Sequence, residues 1–156
     1  MEHGSLLETI AQVAATFAGF AAIIGVFQGA EHGSESVIRV RDVVEASIIV
    51  TLLAFVPFLV EGYGAGDVMV WKISSVIGLL VLALGLGGSL IRSWNVWRTD
   101  PVILIAAVSI VIGGWTYVGL AIFGPFAADM AFLFMLLGTL GFAGFLFVNV
   151  LTPRAK

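Results

Sequence analysis

Glu8, Gln12 and Thr16 recur at steps of four within an otherwise apolar stretch, "LLETIAQVAATFAGFAAIIGVFQG". A carboxylate, an amide and a hydroxyl at this spacing share one side of a helix. Such groups avoid lipid and turn towards protein or water, so this side is the first place to look for a function. Ser5, Glu8, Gln12, Ala15, Gly19, Ala22 and Val26 alternate by three and four and form a seam that begins polar, becomes small and ends apolar. Repeated around an axis, Glu8 would form a carboxylate ring that concentrates cations, and Gln12 and Thr16 would replace part of a hydration shell. Gly19 would allow close approach, and Ile23 or Phe27 would form an apolar constriction. A plainer reading stands beside this one. In it, Gln12 and Thr16 are hydrogen-bonded to neighbouring helices, with Glu8 at the water boundary.

Other chemistries find no residues to perform them. The chain has no cysteine, which excludes disulfides and thiolate chemistry. His3 and His32 are the only histidines, one near the N-terminus and one in a polar loop. There is no metal-ligand cluster, no glycine-rich phosphate loop leading to a lysine and no Ser-His-Asp set. No enzyme activity, metal, cofactor or nucleic-acid partner is expected.

Of the 156 residues 60% are hydrophobic and only 11% charged, with a mean hydropathy of +1.13. Soluble domains carry roughly 25% charged residues. Most of this chain therefore cannot face water, and a lipid bilayer is its expected surrounding. The N-terminus is acidic, without the basic region of a cleavable signal, so the first apolar stretch is expected to be retained. The expected fold is all-α, a single polytopic transmembrane bundle of five spans over residues 1–156. The spans are Leu6–Gln28, Val43–Tyr63, Val70–Ile91, Pro101–Phe123 and Phe126–Leu151. "GAEHGSES", "EGYGAGD" and "GPF" supply turn chemistry between them, and "RTDP" offers an N-cap before Pro101. "GPF" is tight enough to join the fourth and fifth spans as a hairpin.

Charge orients the spans. With the N-terminus outside and the C-terminus inside, Arg39, Arg41, Arg92, Arg98, Arg154 and Lys156 all lie on the cytoplasmic side, leaving only Lys72 outside. Trp71, Trp94 and Trp97 fall near the expected boundaries, where indoles prefer to sit. The outer side then carries Glu2, Glu8, Glu61, Asp67 and Asp129, a clear excess of acid.

The remaining signals concern packing. Asp42 and Glu45 in the first turn of the second span complement the helix dipole, and Arg41 can pair with Glu45 four residues on. Pro57 lies inside that span, removes the donor for the Leu53 carbonyl and is a candidate hinge. Gly85 and Ser89 in "GLGGS", Gly113 in "SIVIGG", and Gly138 and Gly141 in "GTLGFAG" offer small-residue helix contacts.

"TFAGFAAIIGVF", "RVRDVVEASIIVTLLAFVPFLVE" and "VWKISS" resemble a group of small bacterial membrane proteins, which implies the bacterial cytoplasmic membrane but no activity. "AGFAAIIGVFQ" and "WKISSVIGLL" are similar in part to Orai-type calcium channels. That resemblance implies a hexamer whose first helix lines a pore and carries a glutamate ring at its outer end. Here Phe27 and Gln28 stand at the corresponding place, the orientation from charge is reversed and a fifth span is left over. The expected function is a homo-oligomeric channel or small transporter for a small cation, with the first helix at the axis. The alternative is a non-transporting accessory or scaffold subunit of a larger membrane complex.

Overall fold

The computed structural model describes residues 3–29, 33–97, 105, 108–109, 113–114, 118–119 and 128–151, all of them helix or the ends of helices apart from the turn at 63–66. Four long helices result: α1 (Gly4–Gly29), α2 (Gly33–Gly62), α3 (Asp67–Trp97) and α4 (Ala128–Leu151). Each contains a segment long and apolar enough to cross a membrane: Gly4–Phe27, Val37–Gly62, Asp67–Ser89 and Ala128–Val148. α1 and α4 match the first and fifth expected spans. Most of the expected fourth span, Pro101–Phe123, lies outside the described residues, as does the "GPF" junction. The described positions within that span, Ile105, Val108, Ser109, Gly113, Gly114, Val118 and Gly119, are helical.

Two helices outrun their apolar stretches. α2 begins ten residues before Val43, and α3 continues past Ile91 to Trp97. Hydropathy marks what lipid can hold, whereas a helix can continue wherever its backbone bonds are kept. The polar start of α2 is a sound helix: Arg41 Nε donates to Glu45 Oε1 at 2.8 Å, one turn on. α2 ends at a tight turn in which Gly64 takes φ of +80° and donates its N–H to the Glu61 carbonyl at 2.9 Å. This left-handed position admits glycine without strain. Asp67 then lies in the first turn of α3, where a carboxylate favours the helix dipole.

α2 is the central helix and packs against all three others; α1 rests mainly on α2 and touches α4 less. The contacts fix the directions. The N-terminal end of α1 meets the C-terminal end of α2, since a Cβ on Gly4 would lie 3.6 Å from Phe58, while Gly25 faces Val40 at the other end. α1 and α4 run in parallel: His3 meets Asp129 at one end, and Phe17 stacks near Phe147 further along, ring centroids 5.9 Å apart. α3 also runs parallel to α4, because Trp71 meets Phe132 and Gly78 faces both Phe132 and Met135. One end of the bundle thus gathers His3, Phe58, Trp71 and Asp129, and the opposite end gathers Val40, Asp42 and Ser89.

The core follows these directions. Leu7, Ile10, Ala11 and Ala14 of α1 meet Val50, Leu53 and Ala54 of α2, Trp71 and Leu82 of α3, and Phe132, Leu136 and Leu140 of α4. Val118 is part of the same cluster. A second cluster, of Ala21, Val40, Val43, Phe142 and Leu146, closes the other end. Pro57 is fully buried within a helix that remains continuous from Gly33 to Gly62.

Candidate functional site

α1 buries one side, Leu7, Ile10, Ala11, Ala14 and Ala21, against the bundle. The seam of Ser5, Glu8, Gln12, Ala15, Gly19, Ala22 and Val26 lies on the other side, and each of these residues is exposed on the protomer. The polar face of α1 is therefore not an internal contact of its own bundle. Thr16 Oγ1 donates to the Gln12 carbonyl at 2.8 Å, and Thr9 Oγ1 donates to the Ser5 carbonyl at 2.8 Å. Such bonds satisfy a hydroxyl donor within its own helix. Glu8 and Gln12 have no such route, and neither side chain has a hydrogen-bond or ionic partner among the described residues. Gln12 lies eight residues past the start of α1, about 12 Å along the axis. Gly19 has no atom within 4 Å of where a Cβ would stand, and Ile23 and Phe27 are 55% and 72% exposed.

The open faces of the other helices have a different chemistry. α2 presents Ile48, Leu52, Phe55 and Leu59, and α3 presents Ile73, Val76, Leu80 and Leu84, as a lipid-facing surface should. α1 has a stripe of that kind too, in Leu6, Val13 and Phe20. Beside it, the open face of α1 carries Glu8, Gln12, Ala15 and Gly19.

The other small-residue positions divide. A Cβ on Gly85 would fall 2.5 Å from Ile49 Cδ1, so this glycine sits at a close α2–α3 contact. Gly113, Gly138 and Gly141 have no described atom within 4 Å of the corresponding point. Ser89 does more than pack. Its Oγ donates to Asp42 Oδ1 at 2.7 Å, and both residues are buried. Glu45, Ala46, Ile49, Gly85, Phe142 and Leu146 complete a small cavity of about 10 Å³ around this pair, room for one water-sized occupant.

The Asp42–Ser89 pair was hidden from the sequence by two adequate local explanations, a dipole carboxylate and a small packing residue. The available signal was register: the two residues lie nearly equidistant from the Gly64 turn, so an antiparallel hairpin places them level. Ser89→Ala removes the donor and leaves a buried carboxylate short of a bond, which is expected to lower stability by about 1–3 kcal/mol. Unfolding midpoints in detergent would measure this, and an unchanged midpoint would show that the bond contributes nothing.

Ser47, Ser74 and Ser75 are also fully buried, with hydroxyls that find no partner among the described residues. No group of three or more candidate metal-binding side chains exists among the described residues. The chain matches no family model, no curated protein and no solved structure. What can be said of it is the shape itself, a multi-span helical membrane protein. The similarities to small bacterial membrane proteins and to Orai-type channels therefore bring no residue roles to α1, and the site rests on its own chemistry.

Proposed function

We propose that the protein is a homo-oligomeric channel or small transporter for a small cation, with the open face of α1 lining the axis. A single observation carries this reading. Glu8 and Gln12 stand exposed and without described partners on a helix long and apolar enough to span a bilayer, whereas the open faces of α2 and α3 are apolar. In lipid, a polar amide some way along a span needs protein or water beside it. Ala15, Gly19 and Ala22 continue the same face with small side chains, which permit close approach of a second copy. Self-association places Glu8 towards water at the mouth and leaves Leu6, Val13 and Phe20 to the lipid.

We place five spans in the membrane, with the N-terminus outside, in a bacterial cytoplasmic membrane. α3 and α4 run in the same direction, so the chain leaves α3 at one end of the bundle and enters α4 at the other. A return crossing between Trp97 and Ala128 accounts for this, and the core position of Val118 agrees with it. The charge bias then sets the side. A cysteine introduced at Ser34 is expected to react with an impermeant thiol reagent only from the cytoplasm, and one at Gly66 only from outside. The chain has no native cysteine to confuse the result. Reaction of both from the same side would overturn the topology.

The function itself is tested by reconstitution. Purified protein in liposomes is expected to form a ring with α1 at its axis and to pass monovalent cations above the background of empty vesicles. A fully assembled ring that passes no ion would remove the conducting reading. A monomer whose α1 face becomes protected only with another membrane protein would favour an accessory subunit instead.

A further inference from the structure

At the end of the bundle where α1 begins, His3 Nε2 lies 3.1 Å from Asp129 Oδ2. The imidazole also meets the Trp71 indole edge-on, ring centroids 5.8 Å apart, and Trp71 in turn packs on Phe132. Three helices thus converge on one imidazole. Both members of the pair are about a quarter exposed, with side chains at 21% and 26%, so protons reach them while the aromatic wall shields one side. Other contacts between α1 and α4 are sparse along their length. One lies further down, where Phe17 meets Phe147 and Gly144. The His3–Asp129 contact ties the leading end of α1 to α4, beside the buried cluster that holds Leu7, Ile10 and Phe132.

We propose that this contact is a proton-operated latch controlling the setting of α1. The proposal rests on the reading of α1 as the lining of the pathway. Histidine is the side chain that changes charge between about pH 5 and 8. Protonated, the ring donates a charge-assisted bond to the Asp129 carboxylate, roughly twice as strong as a neutral one. Neutral, it offers at most an ordinary hydrogen bond. The ionisable groups on the surrounding helices are Glu8 on α1, Glu61 on α2, Asp67 and Lys72 on α3, and Asp129 on α4. Of these, Asp129 alone lies within ion-pairing distance of the ring. Asp129 stands in the first turn of α4. Acid on this side closes the latch and draws the leading end of α1 back onto its own bundle, away from the axis. The mouth near Glu8 is then held wide. Without the imidazolium charge the latch loosens and α1 is free to lean inward.

The test uses the full chain in liposomes, with two measurements on the same preparations. Spin labels at Leu6 and Met130, both on exposed positions, report the distance between the leading ends of α1 and α4. Dilution with unlabelled protein keeps the signal within one protomer. The wild-type distance distribution is expected to be narrow near pH 5.5 and to broaden near pH 8, with cation flux falling about five-fold over the same interval. His3→Phe keeps a ring against Trp71 but cannot take a proton, and Asp129→Asn removes the carboxylate. Both should be indifferent to pH in distance and in flux. If the wild-type distances ignore pH, or if His3→Phe keeps the full response, the latch is wrong. Should no vesicle conduct while the distances still narrow in acid, the latch stands and the conducting reading of α1 falls.

Discussion

Gly19→Leu is expected to leave the protomer folded and to break its assembly, while Gly85→Leu is expected to do the reverse damage and destabilise the protomer itself. The two glycines look alike in sequence, each within a run of small residues in an apolar helix. Their surroundings differ. Around Gly19 there is open space within the protomer, so four added carbons meet nothing of the chain's own. They would stand on the face that the proposed function gives to a second copy, where a close helix contact cannot admit them. At Gly85 the first added carbon already falls 2.5 Å from Ile49 Cδ1. The end of an isoleucine can turn aside for a methyl group, so Gly85→Ala is expected to be mild. A leucine must displace α2 from α3, and overpacking of this kind typically costs about 1–3 kcal/mol or more. Native mass measurement in detergent reads assembly, and thermal unfolding reads the protomer. A drop of at least ten-fold in the assembled fraction for Gly19→Leu, at unchanged unfolding temperature, corresponds to about 1.4 kcal/mol at the contact. Gly19→Leu running as the same species as wild type would place the contact elsewhere.

That contrast also shows where a single sequence stops being informative. Apolar runs separated by glycine, proline and charge locate the helices, because lipid excludes charge over about 20 consecutive residues. The starts and ends of α1 and α4 follow closely from this. The start of α2 does not, since Ser34 to Asp42 are polar enough to read as a loop and yet extend the helix. Alternation by three and four identifies a packed seam, but not what it packs against. On α1 the residues that meet the bundle, Leu7, Ile10, Ala11, Ala14 and Ala21, are interleaved with Glu8, Gln12, Ala15 and Gly19, and either set satisfies the periodicity. Only the position of α2 decides which set is covered.

Pairings between distant segments are the other blind spot. His3 and Asp129 lie 126 residues apart, and Asp42 and Ser89 lie 47 apart. The first depends on α1 and α4 running in parallel, which hydropathy does not state. The second depends on the register of the α2–α3 hairpin, which the turn at Gly64 fixes. Asp129 lies in the first turn of α4, and Asp42 reads from the sequence as the first turn of its span although α2 begins nine residues before it, so neither carboxylate draws attention alone. Thr16 differs in the opposite sense. Its spacing from Gln12 suggests a bond to another helix, but its hydroxyl donates to the Gln12 carbonyl one turn back. The polar demand on the α1 face therefore comes from Glu8 and Gln12.

Glu8→Gln is accordingly expected to lower cation flux several-fold in liposomes while leaving assembly intact, and to do so only at low ionic strength. Glu8 stands four residues past the start of α1, about 6 Å along the helix axis. A carboxylate there remains near water, and its desolvation stays well below the roughly 3 kcal/mol of a charge at mid-bilayer. Brought together in a ring, such carboxylates raise the local cation concentration at the mouth and steer ions towards it. Screening gives this mechanism its signature. The Debye length is about 10 Å at 0.1 M salt and about 3 Å at 1 M, so a ring acting at a distance loses its influence in concentrated salt. The ratio of wild-type to Glu8→Gln flux should therefore approach one as salt rises from about 0.1 M to about 1 M. Glutamine keeps the size and hydrogen-bonding capacity of the side chain, so oligomer yield and unfolding temperature should not move. If Glu8 instead serves only to hold neighbouring helices, the same substitution should change yield or stability and leave flux per assembled ring unaltered. A flux deficit that persists undiminished at high salt would mean that Glu8 touches the ion directly rather than acting through its field.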